Sequence, residues 1–360
     1  MQYIAFISLA TFLPLFRRVN HLFIPVFSLV FICFAFATKE GSWDYFGYLD
    51  YFLCSIDSKC EAAGFEKSFS IISLVASKLF GQYAFDAVVL FYIFASIILK
   101  LTLFKKHSAW FGVSLFAYSC HGFFMGEMTQ LRVSLAIALS WYAFSKYCAG
   151  KKVCAVVMLG LAVAFHLSSL VGVVVPLLRR VNPKIMAKLV FLAAISGYFL
   201  GKIEWVALPK VGFERVDVYL SAIGSDVLIA SQLNFYVFVM FSTALLALWQ
   251  KVHEFALFDR LCINSVLFGL CIYLLFYFIP IIPLRVLEFY ASLYPFVAAI
   301  AYKSNRNNAI RIFIVAIYIL LFANTMIRNN ARLDLVFDWQ TIPYENMTEK
   351  QIEQLSGFGY

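Results

Sequence analysis

Three arginines have the chemistry to bind an acidic ligand together: Arg132, Arg215 and Arg285. A guanidinium group stays charged at physiological pH and binds phosphate oxygens through two N–H groups at once. Such groups could hold a diphosphate and stabilise the negative charge that develops when it leaves a sugar carbon. Each arginine alone also has a structural interpretation. Arg132 could extend to the membrane surface or pair with Glu127, and Arg285 could pair with Glu288 at i+3.

A second set of residues suits carbohydrate binding and proton transfer. Asp44 and Tyr48 stand four residues apart beside an indole and further phenols, a combination that binds sugar hydroxyls and stacks on sugar rings. An aromatic belt at the membrane interface is the alternative interpretation. His166, Asp44 and Glu66 have side chains that can accept and donate protons. The other candidate binding residues are Gln130, Tyr219, Glu288 and Tyr290.

The composition indicates which elements must position these residues. Hydrophobic residues make up 63% of the 360 residues and charged residues only 14%, with a mean hydropathy of +0.84. Soluble domains average about 45–50% apolar and about 25% charged residues. Each membrane crossing needs roughly 20 apolar residues. The sequence therefore predicts an all-α polytopic membrane protein with about 12 transmembrane helices, in one integral membrane domain spanning residues 1–360. The apolar runs are 3–16, 22–38, 84–104, 109–125, 133–149, 153–166, 167–178, 185–203, 232–250, 261–279, 287–302 and 310–327.

The charge pattern predicts the orientation of these runs. Basic pairs such as Arg17-Arg18, Lys105-Lys106 and Lys151-Lys152 occupy short loops that fall on one side, together with few acidic residues. The positive-inside rule makes that side cytoplasmic. The other side then carries the loops at about 39–67 and 204–231 and the tail 328–360, with Arg132, Arg215 and Arg285 at or near its surface.

Residues 153–178 determine on which side of the membrane the later loops lie. They form one apolar stretch with basic pairs at both ends, and a single crossing would place later basic loops on the outside. We therefore predict a hairpin of two short segments that turns near His166. A histidine so deep in apolar sequence is either a hydrogen-bonded structural residue or part of a functional site.

Other functions are disfavoured by composition. The net charge of +9 resides in short loops rather than in a basic groove with stacking aromatics, so nucleic acid is not an expected partner. The eight cysteines show no metal-ligand spacing, and no metal or cofactor is predicted. Cys54 and Cys60 share a polar outer loop, where a small disulfide could form.

The order of these residues resembles the EpsG family, which comprises Wzy-type exopolysaccharide and O-antigen polymerases of bacteria. The likeness covers most of the chain as scattered residues, and its more specific parts are Gln130-x-Arg132 and Ala164-x-His166-x-Ser168. The other matching elements are Asp44…Tyr48…Tyr51, Glu66 before Ile71-Ile72, Arg215…Tyr219, Arg285…Tyr290 and Ile342-Pro343-Tyr344.

The resemblance implies a GT-C-like glycosyltransferase of the bacterial inner membrane, working on the periplasmic side in lipopolysaccharide or exopolysaccharide biosynthesis. Such enzymes move a growing glycan from undecaprenyl diphosphate onto a newly flipped repeat unit, without a nucleotide sugar or an obligatory metal. Arg132, Arg215 and Arg285 would then bind diphosphate. His166 or an outer carboxylate, Asp44 or Glu66, would activate or orient the acceptor hydroxyl. The expected partners are the lipid-linked oligosaccharide, the bilayer and a chain-length regulator.

Three alternatives remain at this stage. The weakest is a membrane acyltransferase, because the pair of buried histidines expected of such an enzyme is missing. An O-antigen ligase shares the many-span body and the outer arginines, and only the family likeness favours a polymerase. A flippase or transporter of the lipid-linked glycan would be expected to have inverted repeats and helices broken in matched halves. No such symmetry is evident in the sequence.

Overall fold

The structure is a computed structural model that describes residues 6, 8–17, 23–39, 44–56, 66–202, 235–249, 255–279 and 282–333. Side chains within these ranges are described as far as residue 326, apart from those of residues 15 and 282. All regular structure in the described ranges is helical, which confirms the all-α prediction. The predicted loop 204–231, most of the tail 328–360 and part of the loop 39–67 lie outside the described residues.

Fifteen α-helices are present in the described ranges: α1 Phe23–Ala37, α2 Tyr45–Ile56, α3 Lys67–Phe80, α4 Ala84–His107, α5 Phe111–Cys120, α6 Gly122–Gly126, α7 Leu131–Cys148, α8 Lys152–Phe165, α9 Val175–Leu178, α10 Pro183–Leu200, α11 Phe235–Ala247, α12 Leu257–Leu275, α13 Ile282–Ala291, α14 Tyr294–Ser304 and α15 Asn308–Leu333. Short 3₁₀ segments cover Leu13–Leu15, Gly81–Tyr83 and Leu167–Val174.

Several of these helices are long and apolar enough to cross a membrane. In the described residues there are four such stretches, within Lys67–His107, Pro183–Leu200, Leu257–Leu275 and Asn308–Met326, and α13 with α14 gives a fifth if the bent pair is one span. Outward-facing side chains such as Val153 and Val156 in α8, and Phe199 in α10, are largely exposed. Exposed apolar faces of this kind suit contact with lipid. The total of about twelve spans stays a prediction.

One predicted run is divided. The sequence suggested a continuous helix over 287–302, but α13 and α14 meet at a bend of 52°. Pro295 lies in the first turn of α14, where a proline starts a helix readily but cannot continue one from the preceding residues. The break leaves Arg285 and Glu288 on α13, a short helix of its own.

The predicted hairpin at His166 is confirmed. Helix α8 ends at Phe165, and the backbone of His166 is extended, with φ −160° and ψ 120°. The guanidinium of Arg179, just beyond α9, lies 4.5 Å from the ring centroid of Tyr147 at the end of α7. Since α8 starts only a few residues after Tyr147, the chain returns to the level from which it departed.

Basic residues gather at this same end of the bundle. Two guanidinium groups lie near the ring of Trp110, those of Arg17 at 5.6 Å and Arg311 at 5.7 Å from its centroid. The Lys106 ammonium donates to the Ser145 hydroxyl at 3.3 Å, in the last turns of α7. We call this the basic end. The first turn of α7, with Arg132, lies at the opposite end, which we call the site end.

Aromatic packing holds the helices in register between the two ends. Phe104 of α4 packs against Trp141 of α7 and Phe296 of α14, with ring centroids 5.9 Å and 5.1 Å away. All three side chains are almost completely buried. In a bilayer, such close packing rather than removal from water favours helix association.

Candidate functional site

A single carboxylate organises the polar residues at the site end. Glu66 lies immediately before α3, and its Oε1 accepts a hydrogen bond from Nδ1 of His166 at 2.7 Å. The backbone N–H of Leu167 donates to the same oxygen at 3.3 Å. Its other oxygen, Oε2, forms an ion pair with Nη1 of Arg132. The carboxylate therefore joins the start of α3, the turn of the hairpin and the first turn of α7.

The protonation of this group follows from its neighbours. Burial alone would raise the pKa of Glu66, but the hydrogen bond from His166 and the charge of Arg132 outweigh it and hold the pKa below its usual value. An ionised carboxylate can only accept hydrogen bonds. Nδ1 of His166 must therefore carry a proton, which in the neutral imidazole leaves Nε2 as the acceptor nitrogen.

Local contacts bring the hairpin turn to Glu66. The hydroxyl of Ser68 in the first turn of α3 donates to the carbonyl of Ala164 at 2.6 Å, near the end of α8. The ring of Phe165 packs edge-on against Tyr92 of α4, with centroids 5.8 Å apart. These contacts fix the extended residue His166 between α3 and α4.

The predicted residues of α2 and α13 border this carboxylate. Asp44 lies just before α2 at an exposed position, close enough to Arg132 and Arg285 for both charges to act on its carboxylate. The Arg132 guanidinium lies 5.6 Å from the ring centroid of Tyr48, which is buried. Arg285 donates to Glu288 at 3.0 Å and its side chain is 55% exposed. We call Asp44, Tyr48, Glu66, Arg132, His166 and Arg285 the Glu66 cluster.

A small chamber lies beside the cluster and extends into the bundle. Its volume is about 70 Å³, room for a few water molecules. Gln130 and Glu288 line this chamber. In sequence, Gln130 is close to Arg132 and Glu288 is close to Arg285, which both belong to the Glu66 cluster. Aromatic and hydroxyl groups form another part of the wall: Tyr118, Trp141, Tyr236, Ser292 and Tyr294.

Not every predicted site residue joins the cluster. The hydroxyl of Tyr290 donates to the Val171 carbonyl at 2.7 Å, so this buried side chain supports the returning segment of the hairpin. Arg215 and Tyr219 lie outside the described residues. Cys54 is disulfide-bonded, and its predicted partner Cys60 also lies outside them, so the pairing itself stays a prediction.

The sequence suggested Glu127 as one partner for Arg132, but in the structure each of these residues pairs with another. Arg132 pairs with Glu66, whereas Glu127 pairs with Lys100 of α4 at 2.7 Å inside the bundle. Lys100 was overlooked because it sits near the end of the apolar run 84–104, close to the basic residues that follow. A charged side chain within an apolar run was the signal available for finding it.

These features define a class: a multi-pass helical membrane protein with a charged, partly open site at one end of its bundle. No group of three or more His, Cys, Asp or Glu residues able to hold a metal occurs in the part of the chain that the structure describes. The model of the EpsG family matches residues 4–346, and the chain belongs to that family. Membership makes it a polysaccharide-related membrane protein. No curated protein and no solved structure gives a significant match.

Proposed function

We propose that this protein is a Wzy-type polymerase that joins undecaprenyl-diphosphate-linked oligosaccharide repeat units into O-antigen or exopolysaccharide. The observation that carries the proposal is the Glu66 carboxylate, which binds a histidine and an arginine through its two oxygens. Glycosyl transfer from a lipid diphosphate needs both kinds of group, a base for the acceptor hydroxyl and a cation for the leaving group. EpsG membership supports the same reaction class.

His166 acts as the base in this proposal. Glu66 holds the Nδ1–H, so Nε2 accepts the proton of the acceptor hydroxyl while its oxygen attacks the anomeric carbon of the donor glycan. This arrangement of carboxylate and imidazole is the one that orients the base in hydrolytic triads. The bond between the anomeric carbon and the phosphate oxygen breaks, and undecaprenyl diphosphate leaves with the electron pair.

The cluster arginines bind the leaving diphosphate. Arg285 pairs with Glu288 at 3.0 Å and its side chain is 55% exposed, so its guanidinium lies where a ligand can reach it. Arg132 is held in place by Glu66 and lies over Tyr48. Arg215 completes the set in this proposal. Asp44, Tyr48 and the chamber residues Gln130 and Glu288 contact sugar hydroxyls.

The membrane topology of the proposal follows from charge. The site end lies opposite the basic end, and the positive-inside rule assigns basic loops to the cytoplasm. The protein is then an inner-membrane enzyme with a GT-C-like body of about twelve spans and a site facing the periplasm. A chain-length regulator would contact the spans from the lipid side.

The experiment is deletion of the gene in its host, complemented by variants, with the surface glycan separated on a gel. Loss of a polymerase leaves lipid A capped with one repeat unit, or no polymer at all. Loss of a ligase instead accumulates long polymer on undecaprenyl diphosphate, and loss of a flippase leaves repeat units on the cytoplasmic side. Those two patterns would contradict the proposal.

His166→Ala and Arg285→Ala should reproduce the deletion pattern at normal protein level. The matched controls are His107→Ala and Arg306→Ala at the basic end, where His107 packs on Phe258 and Arg306 is exposed. Both controls should keep the full ladder. A full ladder from both site variants would show that the site is assigned wrongly.

A further inference from the structure

A second polar network lies deeper in the bundle and takes no part in the proposed reaction. Oε1 of Glu127 accepts three hydrogen bonds, from Nζ of Lys100 at 2.7 Å and from the hydroxyls of Ser96 and Ser134 at 2.8 Å each. The Lys100 ammonium also donates to Ser134 at 2.6 Å. None of the four residues is more than 3% exposed.

The network ties the start of α7 to α4. Glu127 lies in the turn that precedes α7 and Ser134 in the first turns of that helix, whereas Ser96 and Lys100 belong to α4. Gly126 lets the turn close over the network, because a Cβ there would lie 2.7 Å from the hydroxyl oxygen of Ser134. The residues between the two attachment points include Gln130 and Arg132.

The same network borders the chamber. Lys100 and Ser134 line it together with Gln130 and Glu288. The ammonium of Lys100 also lies over two aromatic rings, 5.2 Å from the centroid of Tyr118 and 5.6 Å from that of Trp141. The Lys100 ammonium is thus enclosed on several sides, and these contacts fix its position deeper in the bundle than the Glu66 cluster.

A buried ion pair such as Lys100–Glu127 adds little to the stability of the fold by itself. Removing two charges from water is costly, and apolar residues of similar volume often replace a buried ion pair without loss. Its advantage is geometric, since charge-assisted bonds have short, directed contacts that apolar packing does not impose. The position held most directly by this pair is the turn that leads to Arg132.

We propose that Lys100 and Glu127 are positioning residues that set where Gln130 and Arg132 stand at the site. The inference rests on the proposed function, because it assigns Arg132 to substrate. Neither residue touches the substrate. Their carboxylate–ammonium bond fixes the start of α7 against α4, so that Arg132 meets Glu66 and Glu66 in turn holds His166.

The experiment compares Lys100→Met, Glu127→Met and the double variant in the deletion host. The single variants leave one buried charge without its partner, whereas the double variant leaves none. Three quantities are measured: membrane protein level, polymer per unit of protein, and the rate at which a membrane-impermeant maleimide labels a cysteine introduced by Thr129→Cys. Peptide mapping separates that site from the native thiols. Asn264→Ala is the matched control, because Asn264 is a buried polar residue that binds the carbonyls of Leu178 and Val181 near the basic end.

The double variant should accumulate to near the wild-type level, yet make at least tenfold less polymer per unit of protein and label several-fold faster at position 129. Asn264→Ala should lower the protein level without changing the polymer made per unit of protein or the labelling rate at position 129. Wild-type polymer and labelling from the double variant would overturn the inference, since the pair would then serve folding alone. If the double variant does not accumulate, Ser134→Ala is used for the same test. It should make about threefold less polymer per unit of protein. Unchanged polymer and labelling in Ser134→Ala would overturn the inference.

Arg132→Gln, made in parallel, separates this inference from the proposed function. A full ladder from Arg132→Gln would remove Arg132 from the site and contradict both the positioning role and the assignment of Arg132 to the substrate, while leaving the polymerase function itself untouched. Loss of polymer in Arg132→Gln with full activity in the double variant would contradict the positioning role only.

Discussion

The two oxygens of Glu66 have different partners, and this asymmetry matters chemically. One oxygen binds the cation Arg132, while the other binds a ring nitrogen of His166. An amide in place of the carboxylate would remove the charge that Arg132 requires and would present an N–H₂ group to one of the two donors. Glutamate is therefore the residue type that satisfies both neighbours.

The lowered pKa of Glu66 has a consequence for stability. Since folding lowers the pKa below the ordinary value of 4.5, the ionised carboxylate stabilises the fold above that pH. The contribution is lost as the pH falls through the lower, folded-state pKa. We expect the free energy of unfolding of the wild type in detergent to exceed that of Glu66→Gln at pH 7 by on the order of 1 kcal/mol, which raises the melting temperature by about 1–2 °C.

The difference in melting temperature between the two proteins should shrink as the pH falls below 4.5, and thermal melts at each pH measure it. Asp86→Asn is the control, because Asp86 forms a more exposed ion pair with Lys39 at 3.2 Å. That variant should melt close to the wild type throughout, as expected for a surface pair. If the difference in melting temperature between the wild type and Glu66→Gln did not change with pH, the assignment of a negative charge to Glu66 would be contradicted.

At the scale of helices, close approach depends on a few small residues. A Cβ on Gly197 of α10 would lie 1.9 Å from the backbone carbonyl oxygen of Leu274 in α12. Backbone cannot move aside as a flexible side chain can, so Gly197→Ala must push the two helices apart. We expect a loss of about 1–3 kcal/mol or more in the free energy of unfolding, as for other overpacked sites.

Gly160 of α8 provides the matched control. It is also helical, but nothing lies within 4 Å of a Cβ built there. Gly160→Ala should be neutral or should stabilise by about 0.5–1 kcal/mol through helix propensity. Thermal melts of both variants in the same detergent check the prediction, and equal melting temperatures would contradict the close contact of α10 with α12.

The same helices show what the sequence could and could not predict. The hairpin at His166 was predictable because basic pairs at both ends of an apolar stretch constrain the direction of the chain. The pairing of Arg132 with Glu66 was not, since Glu127 is much nearer in sequence and local spacing gives no hint of α3. Lys100 as the partner of Glu127 was equally hidden, because a side chain buried between helices is specified by packing across the bundle. The residue types of the site were predictable, and their partners were not.

For the whole molecule, the two ends of the bundle differ in charge, and this difference supports the proposed orientation. Contacts of Arg17, Lys106, Arg179 and Arg311 place basic side chains at the end opposite the Glu66 cluster. Cytoplasmic retention of such loops sets the orientation of membrane helices as they insert. In the proposed orientation, the site end faces the compartment that receives flipped, lipid-linked glycans.

Two exposed positions allow a direct test of this orientation. Gln82, in the 3₁₀ turn between α3 and α4, lies on the outer side in the proposed orientation, and Arg306 lies after α14 at the basic end. In cells with only the outer membrane permeabilised, an impermeant maleimide should label the Gln82→Cys site and leave the Arg306→Cys site unlabelled. Opening the inner membrane should then expose Arg306→Cys, with the native thiols of the wild type as background. The opposite labelling pattern would place the Glu66 cluster in the cytoplasm, where a polymerase acting after flipping could not meet its substrate.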